Sequence, residues 1–293
     1  MSGAAAALSA RRRILALLLL LPSAVIIIGF FIVPMFGFYQ YGFYSFVKGK
    51  IIETFTFDTF KAYFTDPFYA RTMVLTLKSA LYTTGIALVV GYFTAYAFNK
   101  VKSPAVQRIV SITLFLPLVV SLVVLSYGWL VLLSGTGIVN YLALRLGLIH
   151  EPAKMVYNEF GVRVALVHSL LPFMVFPISS ALGQIKPVLK ESASDLGANW
   201  LVTFVRITLP LSLHGVISGI RLFFTLCMGS FVVPFLLGGG RVNLVAGAIY
   251  NDMIAMNWPN AAVAAMFLLV LCTGLLLGLD RLARRFMYLE GAK

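Results

Sequence analysis

Apolar runs long enough to cross a lipid bilayer recur along this chain, and no other feature restricts its fold as much. A transmembrane helix needs about 20 predominantly apolar residues. Such runs are expected at about 14–34, 74–98, 109–133, 163–181, 209–237 and 261–279. Lipid offers no water to backbone N–H and C=O groups, so each run must satisfy its own as a helix. Composition agrees: 60% of the 293 residues are hydrophobic and 11% charged, against roughly 45–50% apolar in soluble domains. The expected fold is all-α and integral to the membrane, with six transmembrane helices and no sizeable soluble domain.

Charge orients the helices. Cytoplasmic loops carry an excess of Lys and Arg, and six spans put both termini on one side. With the N-terminus inside, inner segments hold 13 of the 23 basic residues, among them Arg11-Arg12-Arg13, Lys100, Lys102, Lys186, Lys190, Arg281, Arg284, Arg285 and Lys293. They hold only four of the ten acidic residues. The expectation is a cytoplasmic tail at 1–13, one six-helix domain at 14–279 with an inner loop at 182–208, and a cytoplasmic tail at 280–293, all in the cell inner membrane. The first run is longer than the 7–15-residue core of a signal peptide, so it reads as a retained span. In a membrane protein the net charge of +13 is not a nucleic-acid footprint, and no nucleic-acid partner is expected.

Motifs for chemistry are absent. Gly238-Gly239-Gly240 is not followed by Lys-Ser or Lys-Thr, so there is no phosphate-binding loop of the Walker type. His150, His168 and His214 have no metal spacing, and Cys227 and Cys272 sit inside apolar runs as packing residues. No catalytic residue, metal site or cofactor is expected on this chain.

The longest inner segment, residues 184–210, carries the most information. Pro187 suits the first turn of a helix. From there Leu189, Ala193, Leu196, Trp200 and Phe204 recur at spacings of 4, 3, 4 and 4, one face of an α-helix. Gly197 falls in the middle of that stripe. It costs about 1 kcal/mol there relative to Ala, tolerable where another backbone approaches closely or where the helix ends and turns. Pro210 marks the expected entry to the fifth span. Periodicity leaves two readings open: an amphipathic helix lying on the membrane surface, or one docked on a partner.

Residue identities add to the periodicity. Glu191-Ser192-Ala193, then Gly197, then Ile207-Thr208-Leu209-Pro210 resembles the EAA loop of binding-protein-dependent ABC importer permeases. The spacing matches throughout, and Ser192 stands where a second Ala is usual. The resemblance implies a coupling helix that inserts into a groove on a cytoplasmic ATPase, with Glu191, Ser192, Ala193, Asp195, Leu196, Gly197 and Ala198 at the contact. It implies the type I importer permease architecture, a dimer of ATPase subunits that hold ATP and Mg, an external solute-binding protein, and a second permease, either a different chain, which is favoured, or a second copy. Leu170 to Pro177, Asp195 to Ala198 and Asn257-Trp258-Pro259 further resemble the permeases of spermidine/putrescine importers, a group that also carries opines and phosphonates.

For the solute path, the sequence offers Tyr127 and Trp129 in the third span, Ser230 and Phe231 in the fifth, and Arg221 about twelve residues into the fifth. Taken singly, each of Tyr127, Trp129, Ser230 and Phe231 reads first as a helix-packing residue. A charge in the membrane faces a cavity or a partner, so Arg221 either lines the path or pairs internally. A path-lining Arg221 would disfavour a dicationic solute. The rival function is a secondary transporter or channel without ATP. It predicts internal repeats and a deep coupling carboxylate, and the acidic residues lie in loops or at span ends.

Overall fold

The computed structural model describes residues 18–290, with side chains as far as Ala283. The expected basic tail at 1–13, the start of the first span at Ile14, and Lys293 lie outside the described residues, as do the side chains of Arg284 and Arg285. In chain order the elements are α1 (Leu18–Phe43), β1 (Ser45–Val47), β2 (Lys50–Ile52), α2 (Asp58–Thr65), α3 (Pro67–Lys100), α4 (Pro104–Val119), α5 (Leu122–Leu133), α6 (Ile138–Arg145), α7 (Glu159–Gly183), α8 (Pro187–Asp195), α9 (Trp200–Met228), α10 (Val232–Gly238), α11 (Val245–Ile254) and α12 (Trp258–Glu290). Among the described residues, six helical stretches are long and apolar enough to cross a membrane: α1, α3, Leu122–Arg145, α7, α9 and Trp258–Ala283.

The chain divides into two units. One takes the chain up to Thr65 together with Asp252–Met266; the other takes Asp66–Asn251 and the chain from Phe267. In the first unit, the stretch expected as an outer loop at 35–73 is mostly ordered. β1 and β2 pair antiparallel around Lys48-Gly49, both at positive φ, as the tightest hairpin turn requires. Phe43 stacks on Phe55 at 5.2 Å and meets Phe57 and Phe60 edge-on or tilted, and the Thr59 hydroxyl donates to the Tyr44 carbonyl at 2.7 Å.

The core of the second unit is α3, α7 and α9. Its buried faces are small and hydroxylated: α3 buries Thr72, Thr76, Ser79, Ala80, Thr83, Thr84, Ala87 and Gly91, and exposes Leu81, Tyr82, Ile86, Val89 and Phe93. That is the distribution lipid demands. Large apolar side chains lose nothing by facing acyl chains, and small residues let backbones approach. The hydroxyls turn back on their own helix, Thr76 to the Thr72 carbonyl at 2.8 Å and Thr83 to the Ser79 carbonyl at 2.6 Å. The closest approach is at Gly215 of α9, where a Cβ would lie 2.5 Å from the Pro177 carbonyl oxygen of α7.

Several expected spans end or break elsewhere, and proline and glycine explain most of it. The run expected to stop at Pro34 continues to Phe43, and α9 begins at Trp200, ten residues before the proline expected to open it. In both helices the residues just before the proline, Ile28–Ile32 and Phe204–Thr208, form a widened π-turn. The extra residue makes room for a ring that clashes with the preceding turn and donates no N–H. The expected third span, 109–133, straddles α4 and α5. Val120 and Ser121 are extended between them, and the Ser121 hydroxyl accepts from the Val123 N–H to start α5. The expected fifth span, 209–237, breaks at Gly229–Phe231, between α9 and α10. The expected outer loops at 134–162 and 238–260 contain α6 and α11.

Candidate functional site

The segment between α7 and α9 is a helix, a turn and a second helix start, so the five-residue apolar stripe does not lie on one helix. α8 ends at Asp195. The Ala198 N–H then donates to the Ala193 carbonyl and the Gly197 N–H to the Ser194 carbonyl, both at 2.9 Å. This pair of bonds closes a helix through a left-handed residue, and Gly197 is that residue, at φ +78°. A Cβ at Gly197 would meet nothing within 4 Å, so glycine is required by conformation rather than by a neighbour. Asn199 restarts the chain as a helix, its side-chain oxygen accepting from the Val202 N–H at 2.9 Å. Of the two roles open to Gly197 in the sequence, the structure has the end-and-turn.

α8 and its turn project from the rest of the unit. No residue of α8 is buried. Glu191, Ser192, Asp195 and Gly197 are exposed, Ala193 and Ala198 half-buried, and Leu196 at the tip is 88% exposed. Leu196 is the side chain that least resembles a solvated loop residue.

The far side of the turn is fastened to the end of α3. The Trp200 indole N–H donates to the Tyr96 hydroxyl at 2.9 Å. Lys100 lies over the Tyr96 ring at 4.7 Å and over the Trp200 ring at 5.6 Å. Phe204 stacks on Trp200 at 5.7 Å and meets Tyr96 edge-on at 5.5 Å. Asn99 donates to the Ser179 hydroxyl at 2.8 Å, tying α3 to α7 beside the start of the segment. Trp200 and Phe204 therefore serve as an anchor, while Leu189 and Leu196 stay free. Tyr96 and Lys100 had no signal in the sequence beyond their i, i+4 spacing at a span end.

The candidates for a solute path do not form one cluster. Tyr127 is exposed on α5. Trp129 is half-buried, and its indole N–H donates to His168 Nδ1 at 3.2 Å. Ser230 and Phe231 occupy the break between α9 and α10, with Phe231 against Tyr250 at 4.5 Å and Phe235 at 5.4 Å. α10 packs on α5, so the break and the Tyr127–Trp129 region belong to one side of the unit. Arg221 stands apart, paired with Asp280 of α12. Hydropathy put Asp280 just past the sixth span, but α12 runs through it, which makes Asp280 the partner that sequence reasoning missed.

This fold, six candidate spans with an exposed helix and glycine turn between the fourth and fifth, has known counterparts. Residues 87–288 match the family described as "Binding-protein-dependent transport system inner membrane component". The chain belongs to that family. The permease is 34% identical over 207 residues to the spermidine/putrescine transport system permease protein PotB of Haemophilus influenzae, covering 70% of this chain and 72% of that protein. It is 33% identical over 241 residues to PotB of Escherichia coli K12, covering 82% and 86%. Among solved structures, the fold matches a chain of a bacterial alginate ABC transporter crystallised with its alginate pentasaccharide-bound periplasmic protein, with a TM-score of 0.76, 22% identity, and 94% and 96% of the two chains covered. The permease is thus a multi-pass inner membrane component of an ABC importer, and ATP hydrolysis belongs to a separate subunit. Membership decides against the secondary transporter or channel.

Proposed function

We propose that α8 and its Gly197 turn are the part of the permease that an ATPase subunit grips, and that this end of the bundle faces the cytoplasm. The observation that carries the reading is the 88% exposure of Leu196 on a turn built by Gly197. An apolar side chain held out on a closed turn is stabilised by a groove that receives it. Glu191, exposed beside it, offers charge to the rim of such a groove, and Ser192 is exposed and small enough to replace the more usual Ala. The Trp200–Tyr96–Lys100 anchor passes a pull on α8 directly to α3, and through α9 to the rest of the core.

The other partners are an external solute-binding protein and a second permease that is a different chain, with two ATPase copies below. The transported solute is a small polar molecule of the polyamine class, the class named for the PotB relatives. The pairing of Arg221 with Asp280 supports that class, because a paired guanidinium adds no net positive charge to repel a dication. Tyr127, Trp129, Ser230 and Phe231, on the α5–α10 side, are the proposed path residues.

The deciding experiment uses Glu191→Lys and Gly197→Val. Both variants should insert into the membrane at wild-type levels, lose co-purification with the ATPase, and lose uptake of labelled spermidine. Normal uptake in both would sink the coupling role.

A further inference from the structure

The end of α3 opposite the Tyr96–Lys100 anchor carries a cleft of about 340 Å³ whose lining includes Arg71, Thr72 and Leu75 of α3 with Arg241 and Asn243 from the stretch before α11. Two guanidiniums share it. Among the described residues, neither has a carboxylate within ion-pairing distance or a side-chain hydrogen bond. Asp66, at the start of α3, is already engaged: its carboxylate accepts from the Phe68 N–H at 2.8 Å and caps the helix. Both side chains are exposed, so the cleft presents two uncompensated positive charges that a negative group from outside this chain can engage.

The cleft is held in place from beneath. Between α10 and α11 the side chains alternate: Val242 and Leu244 are buried at 4% and 1%, while Arg241 and Asn243 turn outward. The Val245 N–H then donates to the buried Thr76 hydroxyl at 2.9 Å, a bond between residues 169 apart in sequence. Thr76 lies little more than one helical turn from Arg71, so this bond holds the stretch that carries Arg241 against the part of α3 that carries Arg71. Both arginines therefore project from fixed backbone.

Its place in the fold identifies what can reach it. Arg71 and Lys100 are on one helix, separated along it by about 44 Å at 1.5 Å per residue. That is about the thickness of a bilayer with its headgroups. If α8 faces the cytoplasm, the cleft opens on the other side. We propose that the Arg71–Arg241 cleft is the receptor for a surface carboxylate, an Asp or Glu side chain, of the solute-binding protein that docks on the permease. It rests on the sidedness proposed above. A guanidinium fork matches a carboxylate in two parallel hydrogen bonds, and two forks on a fixed scaffold set the orientation of the incoming protein as well as attracting it. The same charge repels a free cationic solute, so the cleft favours the loaded carrier over its cargo.

The test uses the assembled transporter in nanodiscs, with the purified binding protein of the same system titrated against ATP hydrolysis. The double variant R71E/R241E should raise the half-stimulating concentration of binding protein about tenfold or more, with hydrolysis in the absence of binding protein unchanged. R71K/R241K, which keeps the charge but loses the two-pronged fork, should fall between wild type and R71E/R241E. Raising salt from about 50 to about 300 mM should weaken the wild type and leave R71E/R241E nearly flat. An unchanged half-stimulating concentration overturns the proposal. So does a defect seen with phosphatidylglycerol nanodiscs and absent with phosphatidylcholine alone, which would assign the cleft to a lipid phosphate. If the binding protein fails to stimulate the wild-type transporter, the partner reading beneath the proposal fails first, and that result is distinguishable from both.

Discussion

At the scale of single residues, two positions decide the most. Gly197 ends α8 at φ +78° with open space around it, so the cost of replacing it is conformational. Asn tolerates the left-handed region and a β-branched residue does not. Gly197→Asn should keep most uptake, Gly197→Val should lose nearly all of it, and Gly197→Ala should fall between, at a cost of about 1 kcal/mol. An uptake assay at matched membrane levels ranks them, and equal activity across the series would remove the turn from the argument. The other position is the pair of Arg221 and Asp280. The pair is partly exposed, and removing one partner leaves the other uncompensated, at about 1 kcal/mol. Asp280→Asn should therefore lower the melting temperature of the purified permease more than the double replacement Arg221→Leu/Asp280→Leu does. Thermal unfolding in detergent compares them.

At the scale of elements, glycines that look alike in sequence part company. Gly215 lies against the Pro177 carbonyl, and Gly85 faces open space on α3. Gly215→Ala forces the α7–α9 contact apart and should cost about 1–3 kcal/mol, the range for overpacking a close contact. Gly85→Ala should be neutral or stabilising by up to about 1 kcal/mol through helix propensity. The same melting measurement separates them. Trp200→Phe keeps the ring and deletes the donor to Tyr96. Losing that bond costs about 1 kcal/mol and loosens the joint between α8 and α3. ATPase binding should survive while uptake per ATP hydrolysed falls, a split read by measuring both rates in proteoliposomes.

At the scale of the whole molecule, the prediction concerns sidedness. In a background with Cys227 and Cys272 replaced, Lys190→Cys should react with a membrane-impermeant thiol reagent only in inside-out vesicles. Arg241→Cys should react only from the opposite face. Labelling of both from one side would contradict the proposed topology, whatever the substrate. The two positions report on opposite ends of a helical bundle, so the result does not depend on the detailed path of any loop.

The six-helix membrane architecture was legible in the sequence because lipid imposes it through composition: every apolar run must become a helix. The segment proposed to dock was singled out because Glu191, Gly197 and Pro210 stand at fixed spacings. Local chemistry also explains why parts of it were misjudged. The stripe of Leu189, Ala193, Leu196, Trp200 and Phe204 has helical period, yet the capping bonds at Ala193 and Ser194 and the restart at Asn199 divide it into a free half and an anchored half. Periodicity carries no information about which half finds a partner. The pairing of Arg221 with Asp280, the Trp200–Tyr96 bond and the Val245–Thr76 bond join residues from 59 to 169 positions apart. The sequence by itself determined that this chain lives in a membrane as helices, with a glycine turn in its longest inner segment. Only tertiary packing decided which charges were paired, which glycines were contacts, and which two unpaired arginines line one cleft, because each depends on distances between segments that no local propensity encodes.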